Sequence, residues 1–508
     1  MGNLGGLDLL VLLLYMAVML AMGVYFSRRN NSTEEYFLGG RRFSGWVIGL
    51  SLVGTSISSV TFLAYPGDAF KTSWLRFLPN LLLPVAVVIA AYVFLPRFRE
   101  GKTTSAYEFL EHRYGPSVRV YGALAYILAQ IVRISTILYL LALLIQQVTG
   151  MDPVQAIWVA GVFVALYTVI GGIDAVIWTD VIQTVVLLLG GVLCLYVIVD
   201  LLPGGLATIW HDALAADKLS FAEIVDGEVA PVSWRFSLSE KTATMMLLLG
   251  LSNWLTEYSS NQNTVQRFCA ARSMKEARRA LLVCAFSSLP IWAFYMFLGT
   301  SLYVFFQHFP TEVSEGIHAG EVKAEQILPY FIIHYLPSGI LGLVLAAALA
   351  AAMSSLDSSI NSVTTVSVSD IYRRHLAPGK SDRHYLLVAW LLAVMVSVIM
   401  VLGALLIMRA QTQTLQDTAT ILVSLFGGGL LGLYLYGFFM RGGDARAVWV
   451  GVVVTMLFTA WTVLARYGVL PQGLRLPFDL YYTGLIGNIL MFVVITLAAR
   501  LLPAPKVR

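Results

Sequence analysis

Charge is scarce in this sequence. Only 12% of its 508 residues are Asp, Glu, Lys or Arg, against about 25% in an average soluble chain, too few to cover a water-facing surface. Cysteine is scarcer still. Cys194, Cys269 and Cys284 are odd in number and lie in or beside apolar segments, which excludes a disulfide framework or a metal-binding spacing. Seven histidines form no ligand cluster, and no G-x-x-x-x-G-K-[ST], H-E-x-x-H or G-x-S-x-G is present. The machinery for ATP-driven transport and for hydrolysis is therefore lacking, and the chain is not read as an enzyme. A net charge of +4, with no basic stripe interleaved by aromatics, gives no sign of a nucleic-acid partner.

Apolar sequence is what the chain has instead. Hydrophobic residues make up 58% of it and the mean hydropathy is +0.77. Many runs reach roughly 20 residues, long enough to cross a bilayer as helices, and they are continuous rather than alternating, which disfavours a β-barrel. The expected fold class is an all-α integral membrane protein of thirteen transmembrane helices. They begin near Leu7, Phe43, Leu78, Val118, Pro153, Asp174, Lys241, Ala280, Ser338, His384, Gln416, Ala447 and Asp479. The first run, about Leu7 to Phe26, is long enough to span and has no basic stretch before it, so no cleavable signal peptide is expected. With the N-terminus outside and the C-terminus in the cytoplasm, most of the 33 Lys and Arg residues fall on the inner side, as the positive-inside rule requires. Arg267 is counted there. The expected location is a cell (inner or plasma) membrane, and the whole chain, 1–508, reads as one transporter domain that works as a monomer.

Two spans carry polar, helix-poor sequence at mid-depth: Gly54-Thr55-Ser56-Ile57-Ser58-Ser59-Val60-Thr61 in the second and Ser252-Asn253-Trp254-Leu255-Thr256-Glu257-Tyr258-Ser259-Ser260-Asn261 in the seventh. Interrupted backbone is tolerated in a membrane only where protein or a cavity surrounds it. The two spans are five apart, so spans two to six and seven to eleven form halves of opposite orientation. An inverted repeat with a broken first helix in each half points to a secondary transporter. The core repeats cover about 43–201 and 241–440, with peripheral helices at about 7–27, 446–466 and 479–501.

Three intramembrane polar features stand out, because such groups are costly there and usually functional. Asp180 lies early in the sixth span. In the ninth, Ser354, Asp357 and Ser358 are spaced i, i+3 and i+4 and share a helix face. Hydroxyls and a carboxylate without sulfur or imidazole suit a hard cation such as sodium. Arg133 sits mid-span in the fourth. Its fork suits a substrate carboxylate held bidentately; an internal salt bridge with Glu257 is the other reading.

These residues are familiar as a set. The chain resembles the sodium:solute symporter family, which includes bacterial sodium/galactose, sodium/proline and sodium/sialic acid transporters, and within it looks most like the sialic acid branch. The resemblance runs from the first span to the last. Its most specific passages are Thr104-Ser105-Ala106-Tyr107-Glu108-Phe109-Leu110-Glu111, Gly171-Gly172-Ile173-Asp174-Ala175-Val176-Ile177-Trp178-Thr179-Asp180, Val265-Gln266-Arg267, Ser354-Ser355, Asn361-Ser362 and Asp370-Ile371-Tyr372. It implies a LeuT-type 5+5 inverted repeat with two broken helices and sodium-coupled symport of a small organic solute by alternating access. It implies a first sodium site at the carbonyls of Gly54, Ile57 and Ala351 and the hydroxyls of Ser354 and Ser355. A second is implied at Asp180, Ser354 and Ser358, with Asp357 standing where the sialic acid relatives have serine. One or two sodium ions would be coupled. Substrate contacts carry over to Ser56, Ser58, Thr61 and Arg133. Asn80 replaces a glutamine of the sialic acid members, and Glu257 is a further departure. Galactose-type members have glutamine at Thr61 and glutamate at Asn80, so a neutral hexose is disfavoured and a carboxylate-bearing sugar such as sialic acid is expected. A neutral sugar, an amino acid or another metabolite is the alternative within the class; a sodium-permeable channel is the alternative outside it.

Overall fold

A backbone carried through hydrocarbon must satisfy its own N–H and C=O groups, and the apolar runs do so as helices. The computed structural model describes residues 4–99, 103–225, 228–409, 427–466, 470–474 and 476–502. The first helices are α1 (Gly6–Ser27) and the short α2 (Thr33–Leu38). α3 (Gly45–Ser56) and α4 (Val60–Lys71) are one interrupted span, bent by 60°. Next come α5 (Leu75–Arg99), α6 (Glu108–Tyr114), α7 (Pro116–Thr149) and α8 (Pro153–Leu201). A polar connection then carries α9 (Gly205–Ala215) and a two-stranded hairpin, Ala222–Val225 against Glu228–Pro231. α10 (Ala243–Ser260) and α11 (Gln262–Ala270) are separated by a second interruption. α12 (Met274–His308), α13 (Glu312–Ala319), α14 (Ile327–Tyr335), α15 (Ile340–Leu376) and α16 (Asp382–Arg409) complete the core. α17 (Leu430–Phe439), α18 (Ala445–Arg466) and α19 (Thr483–Leu501) follow. The first part of the expected eleventh span, from Gln416 to residue 426, lies outside the described residues.

Both interruptions have local causes. After α3 the Gly-Thr-Ser-Ile-Ser-Ser sequence offers hydroxyls that compete with the helical ladder, and Ile57 turns extended at φ −97°, ψ 97°. The Ser58 hydroxyl then accepts from the Val60 amide at 3.3 Å and helps restart the helix. The second interruption comes at the end of its polar stretch, not through it. Helix α10 continues to Ser260, with its hydroxyls bonded back to carbonyls one turn earlier: Thr256 to Ser252 at 2.8 Å and Ser260 to Thr256 at 2.9 Å. Asn261 alone is extended, and its side chain accepts from the Asn263 amide at 3.0 Å, capping α11.

The fifth and sixth expected spans are joined within α8 at Gly172, whose φ of 61° and ψ of −163° suit glycine. The carbonyls freed beside it are taken by side chains: Tyr36 donates to Val169 at 2.8 Å and Asn30 to Ile170 at 3.1 Å. Helix α15, buried along nearly its whole length, lies against α8. Its Ala346–Ala352 run keeps the approach close, and a Cβ at Gly190 of α8 would collide with Ala347. Two further close approaches join the halves. A Cβ at Gly299 of α12 would strike the Pro66 backbone of α4, and one at Gly250 of α10 the Pro79 backbone of α5.

Lys218, in the connection after α9, is buried. Its ammonium donates to the last carbonyls of α4, Phe70 at 2.8 Å and Thr72 at 2.9 Å, and lies 3.9 Å from the Tyr303 ring centre. Burial pushes Lys218 down to about 7 from its ordinary 10.5. The unfolded chain therefore holds this proton more tightly than the folded one. Stability is expected to be lowest below pH 7 and to rise between pH 7 and about 10.5. Thermal unfolding in detergent across that range checks this: Lys218→Met should flatten the rise, and an unchanged slope would assign it to another group.

Candidate cation and substrate site

At the end of α3 the ladder runs out at Ile57, whose amide bonds Val53 at 2.9 Å. The Gly54 carbonyl, no longer held by the helix, accepts instead from the Ser354 hydroxyl of α15 at 2.8 Å. The next hydroxyl, Ser355, is buried and has no partner among the described residues. Gly54, Ser354 and Ser355 thus gather at the break, with Ile57 and Ala351 beside them in sequence. This is an oxygen-only environment of the kind a hard cation prefers.

A second polar cluster lies one turn further along. Asp180 of α8 is fully buried. One of its oxygens accepts from Ser51 at 2.6 Å and from Arg267 at 2.8 Å; the other has no partner among the described residues. Arg267 is the residue the charge count placed in a cytoplasmic segment. It is instead 1% exposed on α11, where it bridges four helices. It donates to Ser51 at 2.8 Å and Thr55 at 2.9 Å on α3, to Ser358 at 2.6 Å on α15, and to the Asn263 carbonyl at 2.8 Å on its own helix. Sequence reasoning had quoted the Val265-Gln266-Arg267 triplet only for its likeness. Its usable signal is the polar start of α11, Gln262-Asn263-Thr264 with Gln266 and Arg267 following, all of it buried.

Ser354 and Ser358 face α3, as their spacing predicted, but Asp357 turns to α8. It is fully buried, and accepts from Tyr167 at 3.0 Å, from Thr179 at 3.4 Å and from the Ser358 amide at 2.5 Å. No Lys, Arg or His pairs with it among the described residues. The neighbourhood thus holds two carboxylates and one guanidinium.

The expected cargo residues are distributed around the breaks. Ser56 and Ser58 are half-buried and Thr61 is buried. Asn80 is buried and donates to the Tyr65 hydroxyl at 2.7 Å. Arg133 is half-buried and makes no hydrogen bond or ion pair among the described residues. The alternative reading, an Arg133–Glu257 salt bridge, is not formed. Glu257 accepts from Asn261 at 2.6 Å and Thr264 at 2.6 Å, and so clasps the second break. Two surface cavities lie elsewhere: one of about 370 Å³ beside Thr33, Arg41 and Arg373, another of about 280 Å³ beside Tyr303 and His318.

Arg267 lends itself to a direct test. Replacing it by methionine leaves Asp180 buried without its cation, at an expected cost of about 3–5 kcal/mol. Asp180→Asn in the same chain should recover part of that loss. A thermal-unfolding double-mutant cycle that finds no coupling would refute the pairing.

The sodium:solute symporter family profile matches residues 36–459. The sodium/sialic acid symporter SiaT of Proteus mirabilis is 32% identical over 99% of this chain and 96% of its own length. NanT of Aliivibrio fischeri, another sodium/sialic acid symporter, is 30% identical over 96% and 92%. A solved structure of a substrate-bound, outward-open Na+-coupled sialic acid symporter superposes with a TM-score of 0.88 at 32% identity, covering 99% of this chain and 100% of that one. Mhp1, a nucleobase-cation-symport-1 transporter, shares the fold alone, with a TM-score of 0.55 at 15% identity. These likenesses agree with the expected class, a transporter and not an enzyme, and with its two broken helices. The chain is a multi-pass membrane protein and belongs to the sodium:solute symporter family.

Proposed function

We propose that this symporter couples sodium to the import of a carboxylate-bearing sugar of the sialic acid type. The observation that carries the sodium reading is the clasp across the first break, where Ser354 meets the freed Gly54 carbonyl beside the unpartnered Ser355 hydroxyl. Sodium bound by the carbonyls of Gly54, Ile57 and Ala351 and the hydroxyls of Ser354 and Ser355 would tie α3 to α15. Ion binding then favours the conformation in which these helices are together. Opening toward the cytoplasm separates them, weakens the site and releases ion and cargo.

Charge balance bears on stoichiometry. Arg267 neutralises Asp180, and Asp357 has no basic partner among the described residues, so an ionised Asp357 would leave the second cluster one negative charge in excess. A second sodium held near Asp180, Ser354, Asp357 and Ser358 restores neutrality, with Asp357 supplying the charge. Each inward-moving ion contributes about 2.3 kcal/mol per 100 mV, so two ions permit much steeper accumulation than one.

For the cargo, Arg133 is the natural partner of a carboxylate, because a guanidinium at mid-depth without an anion is costly. Ser56, Ser58, Thr61 and Asn80 would supply neutral hydrogen-bonding groups to the rest of the cargo. We place the N-terminus outside, the C-terminus in the cytoplasm of a thirteen-span protein of the cell membrane, and take the monomer as the working unit. That orientation puts Lys218 on the outer face and Arg119 on the inner one.

Sodium titration of thermal stability tests the first site. Ser354→Ala and Ser355→Ala should each weaken the sodium response about tenfold or more, since each removes a ligand of a partly dehydrated ion. In proteoliposomes, wild-type uptake should show a sodium Hill coefficient near two, falling toward one in Asp357→Asn. A wild-type coefficient of one would overturn the second ion. Arg133→Lys should weaken binding of N-acetylneuraminate; tight galactose binding indifferent to that change would overturn the acid reading.

A further inference from the structure

One face of α7 is organised along its length. Tyr126, Gln130 and Arg133 are spaced i, i+4 and i+7 and therefore form a stripe. The Tyr126 hydroxyl, 2.7 Å from the Ser362 hydroxyl of α15, fixes that stripe toward the interior of the bundle. Between the ends, the Gln130 carbonyl oxygen is buried and has no partner among the described residues. Arg133 stands about 10 Å above Tyr126 at 1.5 Å per residue. Glu257, on α10, is the opposite charge. Three residues on, the Ser260 carbonyl accepts from the Tyr107 hydroxyl at 2.9 Å, and the Tyr107 ring lies 5.9 Å from that of Tyr126, so this end of α10 adjoins the stripe.

These two charges are half-buried at mid-depth and are not paired with each other. Opposite charges in such a place attract strongly and ordinarily close into a salt bridge. Glu257 is held back by Asn261 and Thr264, but both partners are neutral. They give one hydrogen bond to each oxygen of a carboxylate that can accept about four, and they leave its charge uncompensated. A simple acid on Arg133 would bring the pair to a net charge of −1. An acid that also carries an ammonium group leaves it neutral, with each end matched.

We propose that Glu257 reads the far end of the cargo and that the cargo is an amphoteric acid. Its carboxylate lies on Arg133, a donor along its length meets Gln130, and its protonated amino group faces Glu257. The proposal rests on the assignment of Arg133 as the carboxylate partner. Glu257 is on this account a specificity-determining residue: it favours a free amine over an acylated one, because neutral N–H groups cannot balance its charge.

The test is calorimetric binding to purified full-length protein in sodium at near-neutral pH, with two acids that differ only at the amine. These are the methyl glycoside of neuraminic acid, with a free amino group, and its N-acetyl form. Wild type should prefer the free amine by about tenfold or more, as expected for a charge-assisted contact. Glu257→Gln should weaken the free-amine ligand alone and erase the preference, while Glu257→Asp should keep it. Arg133→Lys should weaken both ligands alike. Wild type that binds the acetylated acid as tightly as the free amine, or a Glu257→Gln variant that weakens both equally, overturns the role of Glu257. If Arg133→Lys changes neither ligand, the carboxylate assignment falls, and the proposal with it. The wild-type comparison needs no variant, so a misfolded mutant does not obscure the answer.

Discussion

An interrupted helix inside a bilayer leaves carbonyl and amide groups where lipid can give them nothing, and the core of this chain is arranged around two such interruptions. At the first, the Gly54 carbonyl is met by Ser354. At the second, the Asn261 side chain caps the helix that follows it, and Glu257 gathers Asn261 and Thr264. In the proposed sodium site, the Gly54 oxygen that must be satisfied for folding is also a ligand. Structural need and ion binding would then fall on the same atom, and conditions that change ion occupancy would also change the stability of the first break.

Arg267 connects the two interruptions. It lies on the helix after the second and reaches the helix before the first, through Ser51 and Thr55, while also holding Asp180 and Ser358. Its five donors are spread over side chains from three neighbouring helices and one carbonyl of its own. A lysine has neither the reach nor the geometry for this. At the opposite end of α15 another arginine does comparable work: Arg119 pairs with Asp370 at 2.6 Å and Glu111 at 2.5 Å, and Arg374 pairs with Glu111 at 2.6 Å. Charge is rare in this chain, and much of it is used where helices meet.

Much of this was legible in the sequence because hydropathy is a strong signal in membranes. The long helices appear where the apolar runs are, and the first break falls inside the serine-rich stretch that announced it. The second was harder to locate. Hydroxyls that bond back to their own helix look the same in sequence as hydroxyls that end one, so Ser252 to Ser260 read as broken although only Asn261 is. The burial of Arg267 and Lys218 was missed for a common reason. Counting basic residues by side assumes that they face water, and both of these are buried against backbone oxygens or carboxylates. Asp180 and Ser354 were found because a polar group in an apolar run is conspicuous. The direction of Asp357, away from its helical neighbours and toward Tyr167, depends on packing between distant spans that no local spacing encodes.

The two proline–glycine contacts between the halves are reciprocal. Pro66, on the first helix of one half, meets Gly299 on the second helix of the other; Pro79, on the second helix of the first half, meets Gly250 on the first helix of the second. Backbone rests directly on backbone at both places, with no layer of side chains between to change rotamer or slide. Such seams transmit displacement instead of absorbing it. The four helices are thereby geared together, and a tilt begun at either break is carried to the other half without slippage.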